Sequence, residues 1–269
     1  PAVMPCRKCF LCKTGRGNRC LDQKMPGNSL EIYGGFASHI PVPGIDLCEI
    51  KNRGDIPLEH LAVLADAGTT PYQAAIKAEL RPGDNVVVIG IGGGVGQYMG
   101  QIAKGLGAGT VIGIDITQDK LDRALNYGAD FVINSGDKDA RAVSGEFKAI
   151  CKENGLPGYG WKIFEVTGVK PGQEIGLTLL SFIGKLIIIG FGLGKSEYMM
   201  SRLMAFDAEI IGTWGCLPEY YPIVLNMVTS GKINIDAIVQ TRPMSTIVES
   251  FEEAHKVPPD RRIVLTPDF

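Results

Sequence analysis

Residues 86–104 read VVVIGIGGGVGQYMGQIAK, and this stretch decides the fold. Val86, Val87, Val88 and Ile89 are all β-branched, which suits a pleated strand. The glycines Gly90, Gly92, Gly93, Gly94 and Gly96 follow, with Val95 among them, and Tyr98–Leu106 then takes up a helical pattern. Strand, glycine turn and helix in that order let the backbone approach a diphosphate lying against a helix N-terminus. The spacing Gly90-x-Gly92-x-x-x-Gly96 is one residue longer than the plain G-x-G-x-x-G fingerprint. Counting back from Gly96 instead places Ile91 where the first glycine would stand.

A glycine motif alone is weak, and Asp115 strengthens it. It stands near the end of the next apolar run, Thr110–Ile116, about twenty residues beyond the turn, where an acid accepts hydrogen bonds from ribose hydroxyls. Its carboxylate repels a 2′-phosphate, and no basic residue immediately follows it, so the pattern favours NAD over NADP. A strand-end turn residue or a helix cap is the other reading of Asp115.

Outward from this motif the alternation continues. Asn85–Gly90, Thr110–Ile116, Phe131–Asn134, Lys162–Thr167, Lys185–Gly190 and Glu209–Thr213 are short, mostly apolar runs, and helical patterns fall around 98–106 and 118–126. Such runs suit strands buried on both faces of a parallel sheet. The expectation is a doubly wound α/β (Rossmann) domain over residues 67–215. Upstream, Leu58, Leu61, Ala62 and Ala65 have helical spacing, and Pro71 is placed to open a second helix. Residues 1–57 are rich in Gly, Pro and Cys, show no long helical period, and read as irregular, β-leaning structure. Residues 216–269 hold a helix around 220–228, a strand near 237–240, a helix around 246–255 and a strand near 262–265. They are small for a core of their own, and are expected to join residues 1–66.

The 269 residues suffice for about two domains. Lys and Arg number 27 against 29 Asp and Glu, a net charge of −2, which offers no electrostatic footprint for nucleic acid. No apolar run reaches membrane-spanning length, and the opening residues do not have the pattern expected of a signal peptide. At 45% hydrophobic and 21% charged, the composition is that of a globular protein.

Four of the seven cysteines, Cys6, Cys9, Cys12 and Cys20, lie near the N-terminus in the pattern C-x2-C-x2-C-x7-C, while Cys48, Cys151 and Cys216 are scattered. Four thiolates on short loops can converge on a tetrahedral ion, and zinc is the leading candidate. A four-sulfur site leaves no open position, so it is structural. Arg7, Lys8, Lys13, Arg16 and Arg19 lie among the ligands and offset the negative charge. Unligated thiols and an iron–sulfur cluster are the alternatives, although one common cluster pattern closes with a shorter gap and a Cys-Pro. Clustering of this kind points to a reducing compartment, with the cytoplasm as the default.

PCRKCFLCKTGRGNRC (5–20), GGFASHIPVP (34–43), LADAGTTPYQA (64–74), the glycine turn, FEVTG (164–168) and RRIVL (261–265) together resemble the zinc-containing medium-chain alcohol dehydrogenase family over the whole chain. The resemblance implies a GroES-like, mostly β catalytic domain, here residues 1–66 and 216–269 with the zinc lobe at about 6–20, beside the Rossmann domain. It implies NAD, a structural zinc, a second, catalytic zinc with three protein ligands, and a homo-oligomer. No Gly-His-Glu motif is present, so the N-terminal part of the catalytic domain is expected to be missing, and this chain alone is expected to be inactive. Asp66 matches the third ligand of the catalytic zinc; a turn aspartate is its other reading. Thr70 matches a position near the nicotinamide, or is a helix N-cap before Pro71. Val95 is expected behind the nicotinamide ring, and Arg262, beside Arg261, matches a diphosphate-contacting arginine. His39, His60 and His255 lack metal-site spacing. More narrowly, KTGRGNRCLDQKMPGNS and IYGGFASHIPVP resemble members that oxidise an alicyclic hydroxyacyl-CoA, which makes a small acyl-CoA the expected substrate.

Overall fold

A computed structural model describes residues 1–29, 34–256 and 259–269. In chain order its elements are α1 (Phe10–Lys13), α2 (Thr69–Lys77), β1 (Asn85–Ile89), α3 (Gly96–Gly105), β2 (Thr110–Asp115), α4 (Gln118–Asn126), β3 (Phe131–Asn134) and α5 (Ala140–Glu153). Next come β4 (Lys162–Glu165), α6 (Lys170–Leu179), β5 (Lys185–Ile188), α7 (Met200–Ala205), β6 (Glu209–Gly212), α8 (Tyr221–Thr229), β7 (Val239–Pro243), α9 (Ile247–Lys256) and β8 (Arg262–Thr266). The chain divides into two compact units, residues 1–73 with 214–269, and residues 74–213.

The second unit is a six-stranded parallel sheet in the order β3-β2-β1-β4-β5-β6. The order reverses between β1 and β4, the topological switch point at which doubly wound sheets bind dinucleotides. Register pairs Ile89 with both Ile114 and Glu165, so the ends of β2, β1 and β4 lie side by side. Val87, Ile89, Ile112, Ile114, Ile163 and Leu186 form the middle of one core with Phe147 and Trp161, whose rings meet edge to face at 4.9 Å. Gly113 makes room for Ile91, since a Cβ there would lie 2.7 Å from Ile91 Cδ1.

The expectation of strands buried on both faces holds for β1 and most of β2 and does not hold for β6. Glu209, Ile210 and Gly212 are exposed, because β6 is the edge strand, hydrogen-bonded among the described residues to β5 alone.

In the first unit the described residues of 1–57 are mostly irregular, as expected, and only the leaning towards β structure is corrected. Among the described residues the only pairing there is the antiparallel bridge between Met4 and Lys24. Pro and Gly break up much of this segment, as in Gly34–Pro43, which disfavours ladder pairing there. Ile32 and Tyr33 lie outside the described residues. Residues Leu58–Ala65, read as helical from their spacing, form a 3-10 helix that buries Leu61, Val63 and Leu64. β7 and β8 run parallel, with Val239 opposite Arg262. His60 Nδ1 lies 2.7 Å from Asp236 Oδ1, and the Tyr221 hydroxyl donates to the carbonyl of Ala65. No helix among the described residues is long and apolar enough to cross a membrane.

Candidate functional site

The glycine turn lies at the end of β1. Gly90 has φ +87°, the left-handed region in which a side chain is strained. A Cβ on Gly96 would stand 2.0 Å from the Gly90 carbonyl oxygen, so only glycine lets α3 start this close to the strand. The backbone amides of Gly90 and Ile91 both donate to the Ile114 carbonyl, at 2.7 and 3.1 Å, which fixes the turn to β2. Val95 is the residue preceding α3 and is half-buried, and Gly94 is exposed. The turn leads directly into the N-terminus of α3, the end of a helix whose dipole favours an anion.

Asp115 is tied into the same turn. Its Oδ2 accepts the Gly92 N–H at 2.9 Å, while Oδ1 accepts from Ile116 N at 2.8 Å and Thr117 N at 3.3 Å. The strand-end role is therefore real, and the same carboxylate also reaches the glycine turn. Both features fit a dinucleotide: the turn admits no side chain at Gly90, Gly92 or Gly96, and the acid is fixed beside it.

Sequence reasoning missed Lys120. A Cβ on Gly92 would lie 2.4 Å from Lys120 Cβ and 3.1 Å from Asp115 Oδ2. Lys120 stands in the first turn of α4, so the helix returns it to the turn although it does not directly follow Asp115. The signal was a lysine in the first turn of the helix after the acid-bearing strand.

In the first unit the ligand atoms of Cys6, Cys9, Cys12 and Cys20 all lie within 4.8 Å of one another. Cys9 Sγ is 3.5 Å from Cys12 Sγ and 3.9 Å from Cys20 Sγ, against about 3.8 Å between sulfurs on a tetrahedral zinc. Backbone amides serve the sulfurs, with Cys6 N and Asp22 N both donating to Cys20 Sγ, at 3.2 and 3.3 Å. Amides of Cys12 and Leu21 hold the Cys9 thiol down to about 6. Desolvation, and then the neighbouring Cys9, push the Cys12 thiol up to about 12. Four sulfurs this close cannot all ionise without a cation, and the donor set fits zinc. Arg7, with φ +61°, turns back to pair with the buried Asp46 and anchors the lobe to the 44–46 turn.

Asp66 ends the 3-10 helix and is exposed. Its Oδ1 accepts the Thr70 hydroxyl at 2.8 Å, and its carbonyl accepts the Thr70 N–H at 2.9 Å. Thr70 is thus inside α2, whose first residue is Thr69, so the N-cap reading of Thr70 is corrected. Among the described residues the cysteine lobe is the only cluster of three or more metal-competent side chains, and Asp66 has no such company. Arg262 opens β8 and is half-buried, while Arg261 precedes the strand and is exposed. All seven cysteines are free thiols.

The model of the zinc-binding dehydrogenase family matches residues 94–230, half of the chain. The chain belongs to that family. It is 29% identical over 248 residues to an NAD-dependent alcohol dehydrogenase of Sulfolobus acidocaldarius, covering 92% of this chain and 66% of the relative. It is 27% identical over 254 residues to a probable D-xylulose reductase A of Aspergillus clavatus, covering 94% and 67%. Galactitol-1-phosphate dehydrogenase from Escherichia coli shares the fold, with a TM-score of 0.85 at 21% identity over 99% of this chain and 76% of that one. The chain thus spans about two thirds of the length of the curated relatives it matches.

Proposed function

We propose that this chain is the NAD-binding and structural-zinc portion of a dehydrogenase that oxidises a secondary alcohol. One observation carries the reading: at the switch point of the sheet, Asp115 is hydrogen-bonded to the glycine turn that would cradle a diphosphate. The NAD-dependent relative supports the choice of cofactor. Gly90, Gly92, Gly93, Gly94 and Gly96 leave space for the diphosphate, Asp115 accepts the ribose hydroxyls, and Lys120 adds a cation beside them. Val95, Thr70 and Arg262 are proposed as further cofactor contacts. NAD supplies a hydride acceptor when bound, and a catalytic zinc supplies acidity to the alcohol. Asp66 is proposed as one ligand of that second zinc. Cys6, Cys9, Cys12 and Cys20 cross-link the lobe through a structural zinc and leave no position for substrate.

For the substrate we favour an alicyclic hydroxyacyl-CoA, because the lobe sequence 13–29 and the segment 32–43 resemble 6-hydroxycyclohex-1-ene-1-carbonyl-CoA dehydrogenase of anaerobic aromatic-acid degradation. The second reading is a polyol, supported by the xylulose reductase relative. Reduced, clustered thiols support a cytoplasmic setting, and the open edge of β6 supports a homo-oligomer. The test is NADH formation by the active protein with the CoA thioester and with xylitol. The proposal expects turnover of the thioester that falls, together with zinc content, in Asp66→Ala. Turnover of xylitol alone would favour the polyol, and unchanged turnover in Asp66→Ala would remove that residue from the site.

A further inference from the structure

Glu165 is fully buried at the end of β4, yet no lysine or arginine pairs with it among the described residues. A carboxylate in that position is costly unless hydrogen bonds replace its water. Here the replacement is local. Oε1 accepts from Thr167 N at 2.8 Å, from the Thr167 hydroxyl, and from Gly168 N at 3.1 Å, and Oε2 lies 3.3 Å from Gly168 N. The Thr167 hydroxyl oxygen in turn accepts the Val169 N–H at 3.2 Å, just before α6. The first turn of α6 closes over the pair: a Cβ on Gly172 would lie 2.2 Å from Thr167 Oγ1 and 3.0 Å from Glu165 Oε1. The positive end of that helix favours the buried charge.

The clasped turn is pressed against the glycine turn. A Cβ on Gly90 would meet Thr167 Cγ2 at 2.6 Å and Val166 Cγ2 at 3.2 Å. On its other side, a Cβ on Gly190 would lie 2.0 Å from Gly168 N, so the loop after β5 closes it in. The carboxylate therefore holds the shape of residues 166–168, and these residues wall the switch point opposite Asp115. Asp115 is on β2, on one side of β1, and Glu165 is on β4, on the other. The two halves of a dinucleotide fall on the two sides of such a point.

We propose that Glu165 is a positioning residue that sets the wall for the non-adenosine half of the dinucleotide. The inference rests on the NAD reading above and deepens it. Glu165 touches no cofactor atom; it acts through Val166 and Thr167.

The test compares NADH with ADP-ribose, which lacks the nicotinamide, by calorimetric titration of the zinc-loaded chain. Glu165→Ala is expected to weaken NADH binding about tenfold, the scale of a lost hydrogen-bonded charge, and to leave ADP-ribose within about twofold. Glu165→Gln keeps an acceptor for Thr167 and is expected to restore most of the NADH affinity. Thr167→Val removes the hydroxyl clasp at constant volume and should cost NADH about threefold, which decides the matter if Glu165→Ala fails to fold. Unchanged NADH binding in these variants, or equal loss of both ligands, overturns the positioning role. If the unaltered chain binds neither ligand, the dinucleotide reading itself falls, and the two failures are distinguished.

Discussion

Gly92 donates its backbone N–H to Asp115 Oδ2 at 2.9 Å, which makes the turn after β1 and the acid ending β2 one device. A side chain at Gly92 would strike Lys120 Cβ at 2.4 Å and push α4 away from that device. Gly92→Ala is therefore expected to weaken NADH binding about tenfold with little change in far-ultraviolet dichroism. Undiminished NADH affinity in a titration would show that the turn does not need this close approach.

Gly96→Ala tests packing instead of binding. Its methyl would lie 2.0 Å from the Gly90 carbonyl oxygen, a backbone atom with no freedom to swing aside. Overpacking of this kind costs about 1–3 kcal/mol, measurable by denaturant unfolding. Gly145→Ala is the contrast: it sits in the exposed interior of α5 with nothing within 4 Å of an added Cβ. That substitution should stabilise the chain by about 0.5–1 kcal/mol.

Metal analysis should find one tightly held zinc per 269-residue chain, because the described residues offer one cluster of four convergent sulfurs. Cys9→Ser should abolish it and release the lobe to proteolysis around residues 6–20, while the second unit keeps its unfolding transition. Asp66→Ala should leave this ion in place, since Asp66 contacts Thr70 and not the lobe. Retention of zinc by Cys9→Ser would exclude the four-sulfur site.

Lys185, with a mostly buried side chain, bridges Glu79 at 2.7 Å and Glu209 at 2.8 Å. Burial alone would lower its pKa, but the bonds to Glu209 and Glu79 raise it, and Lys185 in turn holds Glu79 below the usual carboxylate range. A raised lysine stabilises fully below its unfolded pKa, about 10.4, and loses that contribution as pH rises through the folded value. A lowered glutamate contributes above its unfolded pKa, about 4.3, and loses that contribution as pH falls through the folded value. Lys185→Met should therefore lower the melting temperature between these limits, with the difference shrinking in acid below the carboxylate range and in strong alkali. A difference independent of pH would assign the effect to packing alone.

The alternating sheet was legible because buried parallel strands are written as short, mostly apolar runs. Phe131–Asn134 matches β3, and Asn85–Gly90 overshoots β1 by one residue. The helix α5 was less visible, although Asp139 accepts the Ala142 N–H at 2.8 Å as an N-cap, because Gly145 interrupts its pattern. The cysteine lobe could be read from spacing, since short loops leave the sulfurs few other arrangements. Lys120 left only the signal of a lysine in the first turn of the helix after the acid-bearing strand, and Glu165 left none. One returns to the turn through a helix, and the other looks like a polar strand end, although the turn after it buries it completely. Both readings of Asp115 were legible in the sequence, but its bond to Gly92 was not.

The central claim, that Asp115 and the glycine turn make an NAD site, is tested most directly by titrating the zinc-loaded chain with NADH and NADPH, before and after Asp115→Ala. The account predicts that NADH binds at least about tenfold more tightly than NADPH, and that Asp115→Ala narrows the gap by weakening NADH and relieving repulsion of the 2′-phosphate. Equal affinity for the two cofactors in the unaltered chain would contradict it.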